Sequence, residues 1–313
     1  MEDVTDAAFR RLIARMGKPD VMFTEFTSAD GLILAPAAGK KTLLKKLLFV
    51  EGERPIVAQL FSATPSRMEA AAMLCKELGF DGIDINMGCP DRSVEKSGCG
   101  AALIKNPENA RALIRAAQKA GLPVSVKTRI GYNKDELDTW LPQLLAENPV
   151  AITIHARTRK EMSDVPARWE HVKQAVEIRD RLGSKALIVG NGYVKNLEEA
   201  RARAAETACD GVMRGRAIYG NPWLYAKRDA PPTPQERIEA LIEHIKLFDE
   251  LLGDTANFAT MKKHFKAYIS GWDGAKDLRV RLMDTTRAVE AMEVLSAALS
   301  TPLTIHEAGV VSR

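Results

Sequence analysis

Along residues 21–214 of this 313-residue chain, short apolar runs recur at 21–24, 55–58, 82–85, 123–126, 151–154, 186–189 and 211–213. Within them, apolar residues mostly follow one another rather than alternating with polar ones, as in strands buried on both faces of a parallel sheet. Amphipathic stretches of helical length lie between the runs, for instance at 66–78, 106–120 and 197–208. This βα alternation predicts either a barrel or a doubly wound sheet. What separates the two is the set of polar residues at or just past the run ends: Glu25, Gln59, Asn86, Lys127, His155, Asn191 and Arg214. Such a ring describes the C-terminal face of an α/β (β/α)8 TIM barrel, where sites form. Seven runs leave one barrel strand uncounted. The chain opens instead on a helix predicted at Ala7–Met16, with Thr5 or Asp6 as its N-cap. The barrel's first strand is therefore expected upstream of Met1, through truncation or a late start, leaving sheet edges open.

The rhythm stops at Pro231, Pro232 and Pro234, which cannot continue a helix and read as a linker. Beyond them, 235–252, 257–270 and 279–299 carry apolar residues at three- and four-residue spacing, predicting three long helices in a small bundle. Expected domains are thus a barrel over 1–229, a linker over 230–234 and a helical domain over 235–313. Within 262–287 stand Lys262, Lys263, Lys266, Lys276, Arg279, Arg281 and Arg287 against Asp273, Asp277 and Asp284. That excess suits phosphate contacts; a solvated helix face is the alternative.

Composition narrows the class. With 46% apolar and 27% charged residues the chain is globular. It has no run of 18 uncharged apolar residues, and its first residues, Met1-Glu2-Asp3-Val4-Thr5-Asp6, are unlike a signal peptide. A cytoplasmic location without membrane partner is expected, and no obligate protein partner is indicated. Net charge is only +4, so a nucleic acid would have to be held by a local patch. Cys75, Cys89, Cys99 and Cys209 form neither a disulfide framework nor a zinc spacing, and no metal is expected.

Three pieces of chemistry fall on the expected barrel face. Gly190-Asn191-Gly192 and Gly215-Arg216-Ala217 end the last two runs, where glycines let backbone N–H groups approach a phosphate. Gln59, Lys127 and His155 suit a flat heteroaromatic such as a reduced flavin, whose charge near N1 and O2 would partner the lysine. Lys127 could instead pair with Glu25 or Asp84, and His155 could be a core histidine. Third is Cys89, in Asn86-Met87-Gly88-Cys89-Pro90, a thiol that is protonated at neutral pH and able to act as a general acid. Cys99, in Ser97-Gly98-Cys99-Gly100, is its rival.

Taken together, the opening Met1-Glu2-Asp3-Val4-Thr5-Asp6, Asp84-Ile85-Asn86-Met87-Gly88-Cys89-Pro90, Lys127-Thr128-Arg129-Ile130-Gly131, Ile154-His155-Ala156-Arg157-Thr158, Gly220-Asn221-Pro222-Trp223 and Lys262-Lys263-His264-Phe265-Lys266 resemble the motifs of tRNA-dihydrouridine synthases. The resemblance runs nearly end to end. It implies an FMN enzyme that reduces the C5–C6 double bond of a uridine in tRNA, with NADPH, or NADH, as reductant. By the same resemblance hydride passes from flavin N5 to C6 and Cys89 protonates C5. It implies that Met1, Gln59, Lys127, His155, Asn191, Gly192, Gly215 and Arg216 hold FMN. Asn86 would meet the uracil, while Arg129, Arg157, Lys262, Lys263 and Lys266 would face tRNA. The segment 163–169 lacks the glycine that the family often carries before its Ala-x-Trp. Two other readings stand beside this one: a flavin barrel acting on a small molecule in the manner of dihydroorotate dehydrogenases, and a non-catalytic tRNA-binding relative.

Overall fold

A computed structural model describes residues 1–228 and 230–300. Asp229, and residues 301–313 of the expected helical domain, lie outside the described residues. The chain divides into two compact units. One comprises Met1–Glu2 and Asp20–Ala217; the other joins Asp3–Pro19 to the chain from Ile218 onward.

The first unit is built on parallel strands β1 (Met22–Phe23), β2 (Thr27–Ser28), β3 (Ile56–Phe61), β4 (Gly82–Met87), β5 (Val124–Arg129), β6 (Ala151–His155), β7 (Leu187–Asn191) and β8 (Gly211–Met213). Their order is β1-β3-β4-β5-β6-β7-β8, with the short β2 also pairing with β3. The seven apolar runs have thus become seven strands laid side by side in chain order, the arrangement of a (β/α)8 barrel without its first strand. Among the described residues no ladder joins β8 to β1, and the sheet is open. All six residues of β4 are buried, so that its polar residues Asp84 and Asn86, alternating with Ile83, Ile85 and Met87, face the interior and must find partners there.

Eight helices accompany the sheet among the described residues, numbered here after the leading helix α1 (Ala7–Met16) of the other unit. They are α2 (Ala29–Leu34), α3 (Ala37–Lys46), α4 (Pro65–Glu77), α5 (Arg92–Lys96), α6 (Pro107–Gln118), α7 (Leu137–Leu145), α8 (Glu170–Arg181) and α9 (Leu197–Thr207). In α4 the apolar face Met68, Ala71, Ala72 and Cys75 is buried; in α6 it is Ala110, Leu113, Ile114 and Ala117. Each fully buried large aliphatic side chain contributes roughly 1.5–3 kcal/mol. Strand register sets the site: Asn86 lies opposite Lys127, while Arg129, His155, Asn191 and Met213 fall in one row across four strands.

The second unit contains α1, α10 (Pro234–Leu252), α11 (Lys262–Tyr268), α12 (Ala275–Asp284) and α13 (Ala288–Leu299). Asp6 caps α1, its carboxylate accepting from the Phe9 N–H at 2.8 Å. The division does not fall at the proline linker. Phe9 stacks on His244 of α10 with ring centroids 4.8 Å apart, which draws α1 into the helical unit rather than into the barrel. Likewise, a side chain at Gly220 would overlap the backbone at Ala267, so the stretch after Ile218 is seated on α11. The single helix expected over 279–299 is two. Thr285 is extended, and the Glu290 carboxylate accepts from the Thr286 N–H at 2.8 Å and the Arg287 N–H at 3.3 Å, starting a new helix. Among the described residues no helix is long and apolar enough to cross a membrane.

His244 and His264 are fully buried, their ring centroids 4.6 Å apart in an edge-to-face pair. No nitrogen of either ring has a hydrogen-bond partner among the described residues. Burial pushes both imidazoles down, His264 to about 3 with a further push from Lys263, and His244 well below its usual value with a further push from His264. Both are therefore neutral in the fold, whereas in the unfolded chain each gains a proton below about pH 6.5. Stability is fully present above that pH and falls as pH drops towards 3, by about 1.4 kcal/mol per pH unit for each histidine. Asp6, raised by burial, acts in the opposite sense. Urea midpoints at pH 7 and pH 5 should therefore differ less in His264→Phe than in the parent; an unchanged difference would mean that the imidazole is not held neutral.

Candidate active site

A relay of hydrogen bonds organises the strand ends of β3, β4 and β5. Asp84 is wholly buried and accepts from Gln59 Nε2 at 2.7 Å and from Ser125 Oγ at 2.6 Å. Gln59 Oε1 in turn accepts from Asn86 Nδ2 at 3.1 Å. Asn86 Oδ1 accepts from the N–H groups of Gly88 (3.1 Å) and Cys89 (2.9 Å), an Asx-type turn that fixes the loop carrying the thiol. Asn86, expected to meet a substrate, is thus engaged in positioning that loop. Burial raises the Asp84 carboxyl above its usual range, and the Ser125 and Gln59 hydrogen bonds followed by the Lys127 charge pull it back.

Cys89 is half-buried and Cys99 is 3% exposed, with its thiol directed to the Ser97 carbonyl at 3.6 Å. Burial raises the Cys89 thiol, while the Asp91 backbone and the charges of Lys127 and Arg129 moderate the shift. Cys99 is pushed up to about 11 by burial, aided by Asp30, and Cys75 to about 12 by burial. All three stay protonated at neutral pH; among them only Cys89 is more than marginally accessible.

Positive charge converges on the neighbouring strand ends. Lys127 is half-buried, pulled down to about 8 by desolvation and then by Arg129, and has no hydrogen-bond partner among the described residues. Asp84 acts on it as a charge, not as a contact. His155 is driven down to about 2 by burial, with Lys127, Arg129, Arg157 and Arg216 all adding to the shift. Its Nε2 lies 2.8 Å from Arg157 Nη1. A guanidinium only donates, so Nε2 accepts and the proton sits on Nδ1. Burial lowers Arg157 as well, Arg216 lowers it further, and Glu161 tempers the effect. Glu161 is itself engaged by the Thr158 N–H and by Arg168.

Arg129 and Arg157 are buried rather than presented outward. Arg129 donates to the carbonyls of Gly88 (2.7 Å), Thr158 (3.0 Å) and Met162 (2.8 Å), tying the thiol loop to the loop after β6. Arg157, 3% exposed, donates to the Val165 carbonyl at 2.6 Å. With Arg203, Arg216, Trp169 and Tyr193 it lines a cavity of about 420 Å³. Asn191 donates to the Met213 carbonyl at 2.8 Å and so holds β7 to β8. Met1 approaches Gly215, its sulfur 3.4 Å from where a side chain there would begin. Gly190 and Gly192 have a reason beyond anion access: a Cβ on Gly190 would overlap the Trp169 ring, and one on Gly192 would come within 2.6 Å of Ala167 Cβ. Trp169, the end of the segment 163–169 that lacks the glycine noted above, fills that space.

The remaining substrate residues expected from sequence meet in the helical unit. Lys262, Lys263 and Lys266 line a groove of about 530 Å³ with Lys276, Arg279, Val280 and Met283. Lys262 Nζ donates to the Met283 carbonyl at 2.7 Å, and Lys263 lies 3.7 Å from the Asp3 carboxylate.

Residues 1–303 match the family model for dihydrouridine synthase (Dus). Over 297 residues, 94% of this chain, it is 37% identical to a protein of Staphylococcus epidermidis named probable tRNA-dihydrouridine synthase, covering 90% of that protein. It is 38% identical over the same share to probable tRNA-dihydrouridine synthase 2 of Bacillus subtilis, covering 91% of it. The chain belongs to the dihydrouridine synthase family, and is an oxidoreductase by that membership. Among solved structures, histamine dehydrogenase from Rhizobium sp. 4-9 shares the fold at 14% identity and TM-score 0.52, over 78% of this chain and 47% of that one. A 6-hydroxypseudooxynicotine amine oxidase from Pseudomonas geniculata N1 does so at 13% identity and TM-score 0.55, over 94% and 61%.

Behind Cys89 stands Gly100. Its φ is +60°, and a Cβ there would lie 2.6 Å from the Cys89 carbonyl oxygen and 3.2 Å from Cys89 Cβ. The next residue, Ala101, donates its N–H to that carbonyl at 2.9 Å. Gly100→Ala should cost about 1–3 kcal/mol in strain and contact, and should change the rate at which Cys89 is alkylated by iodoacetamide. Gly98→Ala is the control, since φ there is +73° but its Cβ would meet only Ala63 at 3.4 Å. Equal alkylation rates in the two variants would show that Gly100 does not position the thiol.

Proposed function

We propose that this protein reduces the C5–C6 double bond of a uridine in tRNA, using bound FMN and a nicotinamide reductant, with Cys89 as the proton donor. The observation that carries the reading is the meeting of two features at one set of strand ends. A protonated, half-buried thiol lies beside several cations, which add to the burial that drives His155 down to about 2. Such uncompensated charge calls for an anionic ligand.

An FMN fits those residues. Lys127 and the Nδ1–H of neutral His155 are donors suited to the N1 and O2 region of an isoalloxazine, with Gln59 beside them. Asn191 ends β7, and Gly192, Gly215 and Arg216 belong to the loops after β7 and β8, where a phosphate is held in barrels, and Met1 adjoins Gly215. When bound, the flavin supplies hydride to uracil C6 after being reduced by NADPH or NADH. The protein's part is to place the thiol. Asn86 and Arg129 fix the Cys89 loop through Oδ1 and the Gly88 carbonyl, and burial keeps the proton on sulfur until C5 takes it up. A uridine within folded tRNA reaches such a site only by leaving its stack. Lys262, Lys263 and Lys266, with Lys276 and Arg279, suit phosphates of the same RNA.

The purified protein should be yellow and should form dihydrouridine in unmodified tRNA. Cys89→Ala is expected to keep its flavin and the flavin's reduction by NADPH while product formation falls by about 10²–10⁴, the usual contribution of a general acid. A colourless protein refutes the cofactor, and a fully active Cys89→Ala refutes the donor. Removing Lys262, Lys263 and Lys266 together should make the salt dependence of tRNA binding shallower by about one unit per lost phosphate contact; an unchanged slope leaves that face merely solvated.

A further inference from the structure

Beside the thiol and the residues assigned to flavin, the strand-end face carries a second built feature, the cavity of about 420 Å³ among the loops after β6, β7 and β8 and helix α9. The guanidiniums of Arg157, Arg203 and Arg216 line it, and among the described residues no carboxylate does. Their donors are not all engaged. Arg157 uses Nε for the Val165 carbonyl and Nη1 for His155, which leaves Nη2 without a hydrogen-bond partner among the described residues. Arg216 makes neither a hydrogen bond nor an ion pair among them; its guanidinium lies over the Tyr193 ring, 5.5 Å from the centroid. Arg203 pairs with Glu206 at 3.0 Å, one turn on in α9, but both side chains reach solvent and such a pair is weak.

The two aromatic walls differ. Trp169 is 3% exposed, packed against Gly190 and Gly192 and covered by the Arg203 guanidinium 5.6 Å from its ring, so it closes the cavity. Tyr193 is 49% exposed; with Arg216 over one face of its ring, the other is open to a flat ligand. Guanidinium forks beside an open aromatic ring suit the end of a nucleotide, since the forks take a phosphate bidentately and the ring stacks a base. The groove of the helical unit is of another kind. Four lysines and one arginine line it without an aromatic ring, which suits point contacts along a polyanion.

We infer that this cavity receives the adenosine end of the nicotinamide reductant and reads its 2′-phosphate, so that NADPH is used in preference to NADH. Arg203 and Arg157 Nη2 hold the phosphate, and Tyr193 stacks the adenine. The inference rests on the proposed flavin chemistry, in which a nicotinamide must reach this same strand-end face. A terminal phosphate carries close to two charges and offers three oxygens to the forks, whereas a phosphodiester of tRNA carries one charge. The flavin's own phosphate ends its chain and would leave the Tyr193 ring without a base.

The test uses the full-length, flavin-loaded protein and three variants outside the residues assigned to flavin or tRNA: Arg203→Ala, Arg203→Lys and Tyr193→Ala. Calorimetric titration with 2′,5′-ADP, against 5′-AMP, reads the cavity without turnover; anaerobic flavin reduction at varied NADPH or NADH reads it in use. The parent should bind 2′,5′-ADP more tightly than 5′-AMP and half-saturate at lower NADPH than NADH. Arg203→Ala should weaken 2′,5′-ADP and NADPH by roughly tenfold to a hundredfold, with NADH, the limiting reduction rate and KM for tRNA as in the parent. Arg203→Lys should recover only part of that loss, for want of a fork. Tyr193→Ala should weaken both nicotinamides by roughly fivefold or more. A colourless parent, or one whose flavin neither nicotinamide reduces, refutes the proposed function itself. With that function intact, a parent indifferent to the 2′-phosphate, or an Arg203→Ala variant that keeps its affinity for 2′,5′-ADP, overturns the inference alone. It is equally overturned if Arg203→Ala loses its flavin, which would give the cavity to the flavin phosphate, or if only KM for tRNA rises, which would give it to the RNA.

Discussion

The position of Cys89 depends on a carboxylate that never meets solvent. Asp84 stands in the middle of a strand buried on both faces, where an unpaired charge would be costly. Gln59 and Ser125 offset that cost by donating to it. Because Gln59 gives its amide N–H to Asp84, its carbonyl is left facing Asn86; because Asn86 gives its amide to Gln59, its own carbonyl is left for the N–H groups of Gly88 and Cys89. Each donation fixes the orientation of the next side chain, and the thiol loop is the last member of the series. A polar network of this kind specifies one geometry only when every member is satisfied.

The same strand ends are electrostatically lopsided. Asp84 acts on Lys127 and Glu161 on Arg129 and Arg157, but Lys127, Arg129, Arg157 and Arg216 together leave positive charge in excess there. Buried among these cations, His155 stays neutral, burial being the larger cause and the charges adding to it, and Arg157 selects its tautomer. The result is a set of donors held in place by one another's hydrogen bonds, which lowers the reorganisation needed when charge shifts beside them.

Much of this was legible in the chain. Strands buried on both faces announce themselves as apolar runs, so seven of them could be placed, and the polar residue at each end pointed to the strand-end face. Asp84, a lone charge within such a run, was a visible signal of the network around it. Other features were hidden because they depend on tertiary neighbours. Gly190 and Gly192 read as phosphate glycines, yet they also admit Trp169, a contact from a distant part of the sequence. Arg129 and Arg157 look like exposed cations until their backbone partners are known. The break at Thr285 escapes periodicity since the apolar spacing continues across it. The attachment of α1 to the helical unit through Phe9 and His244 reverses the order of the chain, which no local pattern can reveal.

Arg129 has a mechanical consequence. Its one guanidinium holds the Gly88 carbonyl on one side and the Thr158 and Met162 carbonyls on the other. Two loops that extend from different strands are thereby coupled, and displacement of the second is transmitted to the base of the first. Lysine, with a single ammonium, could not span both. A load placed on the loop after β6 is therefore borne by the same fork that holds the base of the Cys89 loop, so that the two loops share one joint.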